Sequence, residues 1–408
     1  MTHHRTTITL ALAFAAAFAL CFLGACAPRA AGVEARKQAD ARFKRTTSLV
    51  GFDQARQAFE SGDLDKARRE VEAAIARSDR EARYWSLLGR IELEARRLER
   101  SIAAFGRSIE CDPTLAEPYY YRGVVHQRIG AVDRAIDDYM KAAELDPERI
   151  SHLLAAAEMM VAERRLDEAR DLLLSKLGYF EHSASIHELL GDIASLQGNH
   201  RAAARSYERS LTIDTDAPLV SEKVVGALFR AGEWQRCLDA ARRLRARAAA
   251  RSDGRMAVVP AEVLRHEGRS LAMLGRKSEA RTVFAEYARH YPEDTEAWRD
   301  LATASLALGE VDRAQAAAER LVMLARDEPA GYTLRGMVAE RNNRVDEAIA
   351  WHVRAVEVGP QSPEAAAALG LALRAAGRRV EAAQWLERAL ELDPAFAAVA
   401  RALGSMVD

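Results

Sequence analysis

The amino-acid sequence predicts an all-α fold, a solenoid of about ten helix-turn-helix repeats. Three observations predict it. Residues 116–149 read as two amphipathic helices joined by a tight turn, the pattern returns along the chain at an interval of 34 residues, and the composition suits many thin helical cores, with 49% hydrophobic but only 6% aromatic residues. At 408 residues the chain exceeds the ~250 to 300 at which a single compact core stops growing. Stacked repeats escape that limit because each meets only its neighbours. No segment calls for a sheet.

Counting Ala116 as position 1, Tyr119 stands at 4, Gly123 at 8, Gly130 at 15, Ala135 at 20, Tyr139 at 24, Ala142 at 27 and Pro147 at 32. Apolar or small residues at 4, 8 and 11, then at 20, 24 and 27, fall three or four apart, so each half buries one helical face. Gly130 suits the left-handed conformation that ends a helix, and Asp133 is the expected N-cap of the next.

The same frame sets repeats at Ser48, Ala82, Ala116, Ile150, Ala184 and Pro218 and, after nine extra residues, at Ala261, Thr295, Pro329 and Pro363. Position 8 is Gly or Ala in nine of the ten, Val225 being the exception, and position 20 is Ala in eight, with Ser101 and Cys237 as small replacements. Small residues at these two places let paired helices approach closely.

With its 34-residue period and its Tyr, Gly, Ala, Tyr, Ala and Pro at these positions, the chain resembles the tetratricopeptide repeat family. The resemblance implies a right-handed superhelix whose first helices line a concave groove with positions 2, 5, 9, 12 and 13. After the last repeat, 397–404 restarts a first helix and then stops, so a C-terminal capping helix is expected within 397–408.

Before the repeats, Arg5 and an apolar run over 8–23 form a targeting segment, and Leu23-Gly24-Ala25-Cys26 resembles a bacterial lipobox. On that reading residues 1–25 are a lipoprotein signal peptide and Cys26 is acylated, with Ala27 after it compatible with the outer membrane. An ordinary signal peptide is one alternative. A membrane-spanning anchor is another, although the run is at the short end of the ~17 to 25 residues needed. Residues 26–47 are polar and charged and read as a tether, extending at up to ~3.3 to 3.6 Å per residue.

Repeats one to six occupy 48–251. The first is degenerate, with Gly51 where a large residue belongs, as expected of a terminal repeat. Residues 252–260 are an insertion, read as a loop or a lengthened, kinked helix because Gly254 and Pro260 lie within it. Repeats seven to ten fill 261–396. Of the four cysteines, Cys111 and Cys237 lie in repeats two and six, too far apart to pair.

The sequence contains no Gly-rich phosphate loop, nucleophile elbow or Cys pair at metal spacing, and so points to no catalytic residue, metal or cofactor. His126, His152, His182 and His187 fall on adjacent repeats, but His126 at position 11 and His187 at position 4 read as packed core residues. A net charge of -1 offers no general attraction for nucleic acid.

Binding is therefore expected in the groove. By the resemblance its floor in repeats three and four is Tyr120, Val124, Gln127, Leu154 and Val161, aromatic and apolar, and in repeats seven and eight it carries Arg265, Arg269 and Arg299. Glu262 and Glu296 precede Arg265 and Arg299 by three residues and can pair with them, whereas Arg269 has no such neighbour. The Asn at position 9 with which chaperone-binding members clamp a terminal carboxylate is absent from every repeat. The expected function is a non-enzymatic scaffold or adaptor, lipid-anchored on the periplasmic face of the outer membrane, binding proteins or peptides for an envelope machine. Pilus, secretion and outer-membrane biogenesis lipoproteins share the resemblance. A carbohydrate-binding or regulatory subunit of a polysaccharide or cell-wall complex is the alternative.

Overall fold

The computed structural model describes residues 28–251, 258–396 and 401. The signal segment with Cys26, the centre of the insertion and all of the expected C-terminal cap except Arg401 lie outside them. Among the described residues there are twenty helices and no strand. They form two compact units that divide at Gly178 and Tyr179.

In the first unit the helices are α1 (Pro28–Glu60), α2 (Leu64–Arg77), α3 (Ala82–Glu94), α4 (Leu98–Cys111), α5 (Ala116–Arg128), α6 (Val132–Leu145), α7 (Ile150–Ala162) and α8 (Leu166–Lys176). The second unit opens with α9 (Ala184–Leu196), α10 (His200–Ile213), α11 (Pro218–Arg230), α12 (Trp234–Arg251), α13 (Ala261–Met273) and α14 (Lys277–His290). It closes with α15 (Thr295–Leu308), α16 (Val311–Leu324), α17 (Pro329–Arg341), α18 (Val345–Val358), α19 (Pro363–Ala375) and α20 (Arg379–Leu392). Within each unit a helix packs mainly on its sequence neighbours, and first helices such as α11, α13 and α15 also touch one another, forming one layer.

The turn inside every repeat has one physical signature. Position 15 has positive φ in all ten: Gly62, Gly130, Gly198, Gly232, Gly275, Gly309 and Gly377, but also Arg96, Arg164 and Asn343. Position 20 is buried in all ten, from Ala67 and Ser101 through Cys237 to Ala382. The two polar replacements there do the same thing. Ser101 Oγ donates to Gly89 O at 2.7 Å and Cys237 Sγ to Val225 O at 3.5 Å, so each bonds the carbonyl of its own position 8. Burial also pushes the Cys237 thiol up to about 11, and both it and Cys111 are free.

Three expectations need correction. Asp133 is not an N-cap: α6 starts a residue before it, Ala131 occupies the cap without a side-chain bond, and Asp133 instead pairs with Arg165 of the next repeat at 3.1 Å. The tether is not extended, because residues 28–47 continue without a break into the first repeat as α1. At ~1.5 Å per residue its reach is ~30 Å, not twice that. His187 is half-buried, not a core residue, with its ring nitrogen 3.3 Å from Glu181 O. At the insertion α12 is lengthened to Arg251, and Val259 beyond it is buried, its carbonyl accepting from Tyr291 Oη at 2.7 Å.

Candidate functional site

The layer of first helices in the second unit carries a cavity of about 350 Å³. Phe229 and Trp234 form one wall, their rings edge-to-face with centroids 5.2 Å apart. Opposite them α15 presents Ala304 and Ala307, and these small side chains leave the space open. Met273, 62% exposed, stands at the mouth. Behind Phe229 the imidazole of His266 stacks at 4.4 Å, and burial, outweighing the attraction of Glu262, lowers its pKa to about 4. The cavity is thus backed by a neutral ring at ordinary pH.

Its charged lining is Lys277 and the pair Arg269 and Asp300. Arg269 Nε and Nη2 meet Asp300 Oδ2 and Oδ1 at 2.9 and 3.0 Å, and Nη2 also meets Glu296 at 2.6 Å. Arg269 is therefore not free. Its partners come from the next repeat, because stacking sets position 9 of one first helix against positions 2 and 6 of the following one. The expected local pairs also form, Arg265 with Glu262 and Arg299 with Glu296, each at 2.6 Å or closer contact, and Arg299 further reaches Glu328 at 3.3 Å. An acidic ligand would have to displace these carboxylates.

Three family models, each described as tetratricopeptide repeat, match the sequence: one over 52–116 and 334–395, one over 271–338, and one over 116–149 and 184–216. The chain is built of tetratricopeptide repeats. Among solved structures, the Naa15/Naa10 complex bound to HypK-THB is similar over 86% of this chain and 64% of that one, at 16% identity and TM-score 0.43. A tetratricopeptide repeat protein from Parabacteroides merdae is similar over 64% of this chain and 99% of its own, at 14% identity and TM-score 0.42. Yeast Tom70 is similar over 89% and 95%, at 12% identity and TM-score 0.39. No curated protein matches the sequence.

In the first unit the tetratricopeptide groove is more fully packed than the sequence suggests. Tyr120 lies in a cluster of rings, 5.5 Å from Tyr139 and 4.7 Å from His152. Gln127 accepts a 2.7 Å bond from Tyr139 Oη, and Val124 packs on the core cluster of Phe105 and Val125. Leu154 and Val161 are half-buried. Of the four histidines, His126 and His152 are buried while His182 is exposed. Among the described residues no group of three or more His, Cys, Asp or Glu could hold a metal ion.

Position 4 has a role that the apolar pattern does not reveal. Trp85 Nε1 donates to Asp79 O at 2.7 Å, Trp298 Nε1 to Pro292 O at 2.9 Å and Tyr332 Oη to Arg326 O at 3.1 Å. Each acceptor is position 32 of the preceding repeat. The aromatic side chain thus ties the connecting turn to the helix that follows, which is also where His187 meets Glu181.

The arginines at the groove positions of repeats seven and eight do not by themselves indicate the cavity. Phe229 at position 12 and Met273 and Ala307 at position 13 carry the signal. Trp234 does not, since it belongs to a second helix and reaches the groove only through the turn at Gly232.

Proposed function

We propose that this tetratricopeptide repeat protein is a non-enzymatic scaffold, lipid-anchored through Cys26 in a bacterial envelope, that holds partner proteins or peptides for assembly of an envelope machine. The cavity between Phe229 and Ala307 carries the reading. Its walls are apolar, its volume is that of a bulky side chain with room to spare, and Arg269 and Asp300 at its edge offer a donor and an acceptor for the partner's backbone. A groove lined by exposed aromatics among several acids would favour a sugar, and this one sets its aromatic and alanine walls beside two cations, Arg269 and Lys277, and a single acid, Asp300, already paired with Arg269. Tyr120, Val124, Gln127, Leu154 and Val161 form the secondary contact surface on this reading, and Arg265 and Arg299 flank the principal one.

A photo-crosslinking residue placed at Met273 should capture a partner from intact envelopes. Ala307→Trp, which fills the cavity, should abolish that capture while leaving the thermal melt within a few degrees. Unchanged capture by the filled variant would remove the cavity from the binding surface. For the anchor, Cys26→Ala should prevent acylation, read by intact mass, and an acyl-free wild-type chain would sink the lipoprotein reading.

A further inference from the structure

Residues 32–46 of α1, which precede the first repeat, pack against none of the described residues. Residues 32–46 are all exposed, although the helix is unbroken from Pro28 to Glu60. Five cations, Arg36, Lys37, Arg42, Lys44 and Arg45, stand there against Glu34 and Asp40, a local charge of +3 (5 − 2) in a chain whose net charge is -1. Among the described residues none of the five has a carboxylate partner, whereas arginines of the repeats such as Arg122 and Arg269 are held by theirs. An unpacked helix with unneutralised charge has its partner elsewhere.

The apolar residues on it say what kind. Val33 is 55% exposed and Phe43 70% exposed. Counted from Val33, Arg36, Lys37 and Lys44 follow at three, four and eleven residues, and Phe43 follows Arg36 at seven, so these five share one side of the helix with a single acid, Asp40, among them. Cationic stems that surround isolated apolar side chains suit a headgroup layer, where the charges meet phosphates and the ring enters the acyl boundary. An extended polyanion such as nucleic acid would use the charges and leave Phe43 in water.

We propose that residues 32–46 form a binding helix for anionic phospholipid headgroups. The proposed acylation at Cys26 puts that surface two residues away from the start of the helix, and the inference rests on it for that nearness only. Acyl chains would hold the protein on the membrane; the helix would set how it lies there. Since α1 continues into the first repeat without a break, docking its free half turns that repeat's first helix along the leaflet rather than away from it.

The test is hydrogen exchange on the full chain reconstituted in vesicles of phosphatidylcholine alone or with one third phosphatidylglycerol. Exchange over 32–46 should slow several-fold with the anionic lipid only, and 0.5 M NaCl should reverse it. The triple variant Arg36→Glu, Lys37→Glu, Lys44→Glu should lose the protection, since each cation near such a surface is worth about fivefold in binding. Exchange over 116–149 should be the same throughout, showing that the repeats stay folded. Equal exchange on the two vesicle types, protection that survives the triple variant, or stronger protection by an RNA oligonucleotide than by the anionic vesicles would overturn the proposal. A wild-type chain that intact mass shows to be acyl-free, yet that gains protection on the anionic vesicles, would refute the lipoprotein reading and leave this one standing.

Discussion

The ring of Tyr139 occupies the space where Gly123 would carry a side chain: a Cβ built on the glycine would stand 2.8 Å from both Cδ1 and Cε1. Position 8 and position 24 of a repeat share one volume. Gly89 faces Phe105 and Gly268 faces Phe284 in the same way, while in the sixth repeat the sizes are exchanged, with Val225 at position 8 and Ala241 at position 24. Gly123→Ala should therefore destabilise, because ~1 to 3 kcal/mol of overpacking exceeds the ~1 kcal/mol gained from helix propensity. Adding Tyr139→Leu should recover part of the loss. Urea titrations of the two variants check this, and a Gly123→Ala protein more stable than wild type would contradict it.

Arg96 and Arg164 hold positive φ at the turn position that is glycine in seven repeats. A side chain in the left-handed region costs ~1 to 2 kcal/mol, partly offset by the lower entropy of the unfolded chain. Arg96→Gly and Arg164→Gly should each raise stability by ~0.5 to 1 kcal/mol. Asn343→Gly should gain less, since Asn tolerates this conformation. Differential scanning calorimetry of the three variants orders them.

His266 makes stability depend on pH in a definite direction. Its folded pKa of about 4, set by burial against Phe229 and by nearby Arg230, Arg265 and Arg269 despite Glu262, lies below the ~6.5 of an unfolded histidine. The unfolded chain then binds the proton first, so the contribution is complete above pH ~6.5 and is lost as pH falls toward 4, by at most about 3 kcal/mol. Burial lowers His126 and His152 in the same sense. Denaturation at pH 7 and pH 4.5 should show a smaller pH-dependent loss in His266→Leu than in wild type. An equal loss would mean that His266 is not the titrating group.

Arg269 ties repeat seven to repeat eight, and its removal leaves Asp300 and Glu296 facing each other in a half-buried setting. Arg269→Ala should cost ~1 to 3 kcal/mol. Nearest-neighbour coupling should confine the loosening to α13 and α15, read as faster hydrogen exchange there and not in the first unit. A second change, Asp300→Asn, should restore part of the stability by relieving the repulsion.

What the sequence by itself determined is the repeat. Helix starts at Ala82, Ala116, Pro218, Ala261 and Pro363, the left-handed turn at Gly130 and the small residue at position 20 all follow from contacts inside one 34-residue segment, where spacing along the chain translates directly into spacing on a helix. Only the tertiary structure decided what one repeat does to the next. That Arg269 is held by Glu296 and Asp300, that Trp85 and Trp298 bond the preceding turn, and that Phe229, Met273 and Ala307 enclose a cavity depend on the offset at which first helices stack. That offset is set by side-chain volumes at many buried positions at once, and no single stretch of sequence contains it.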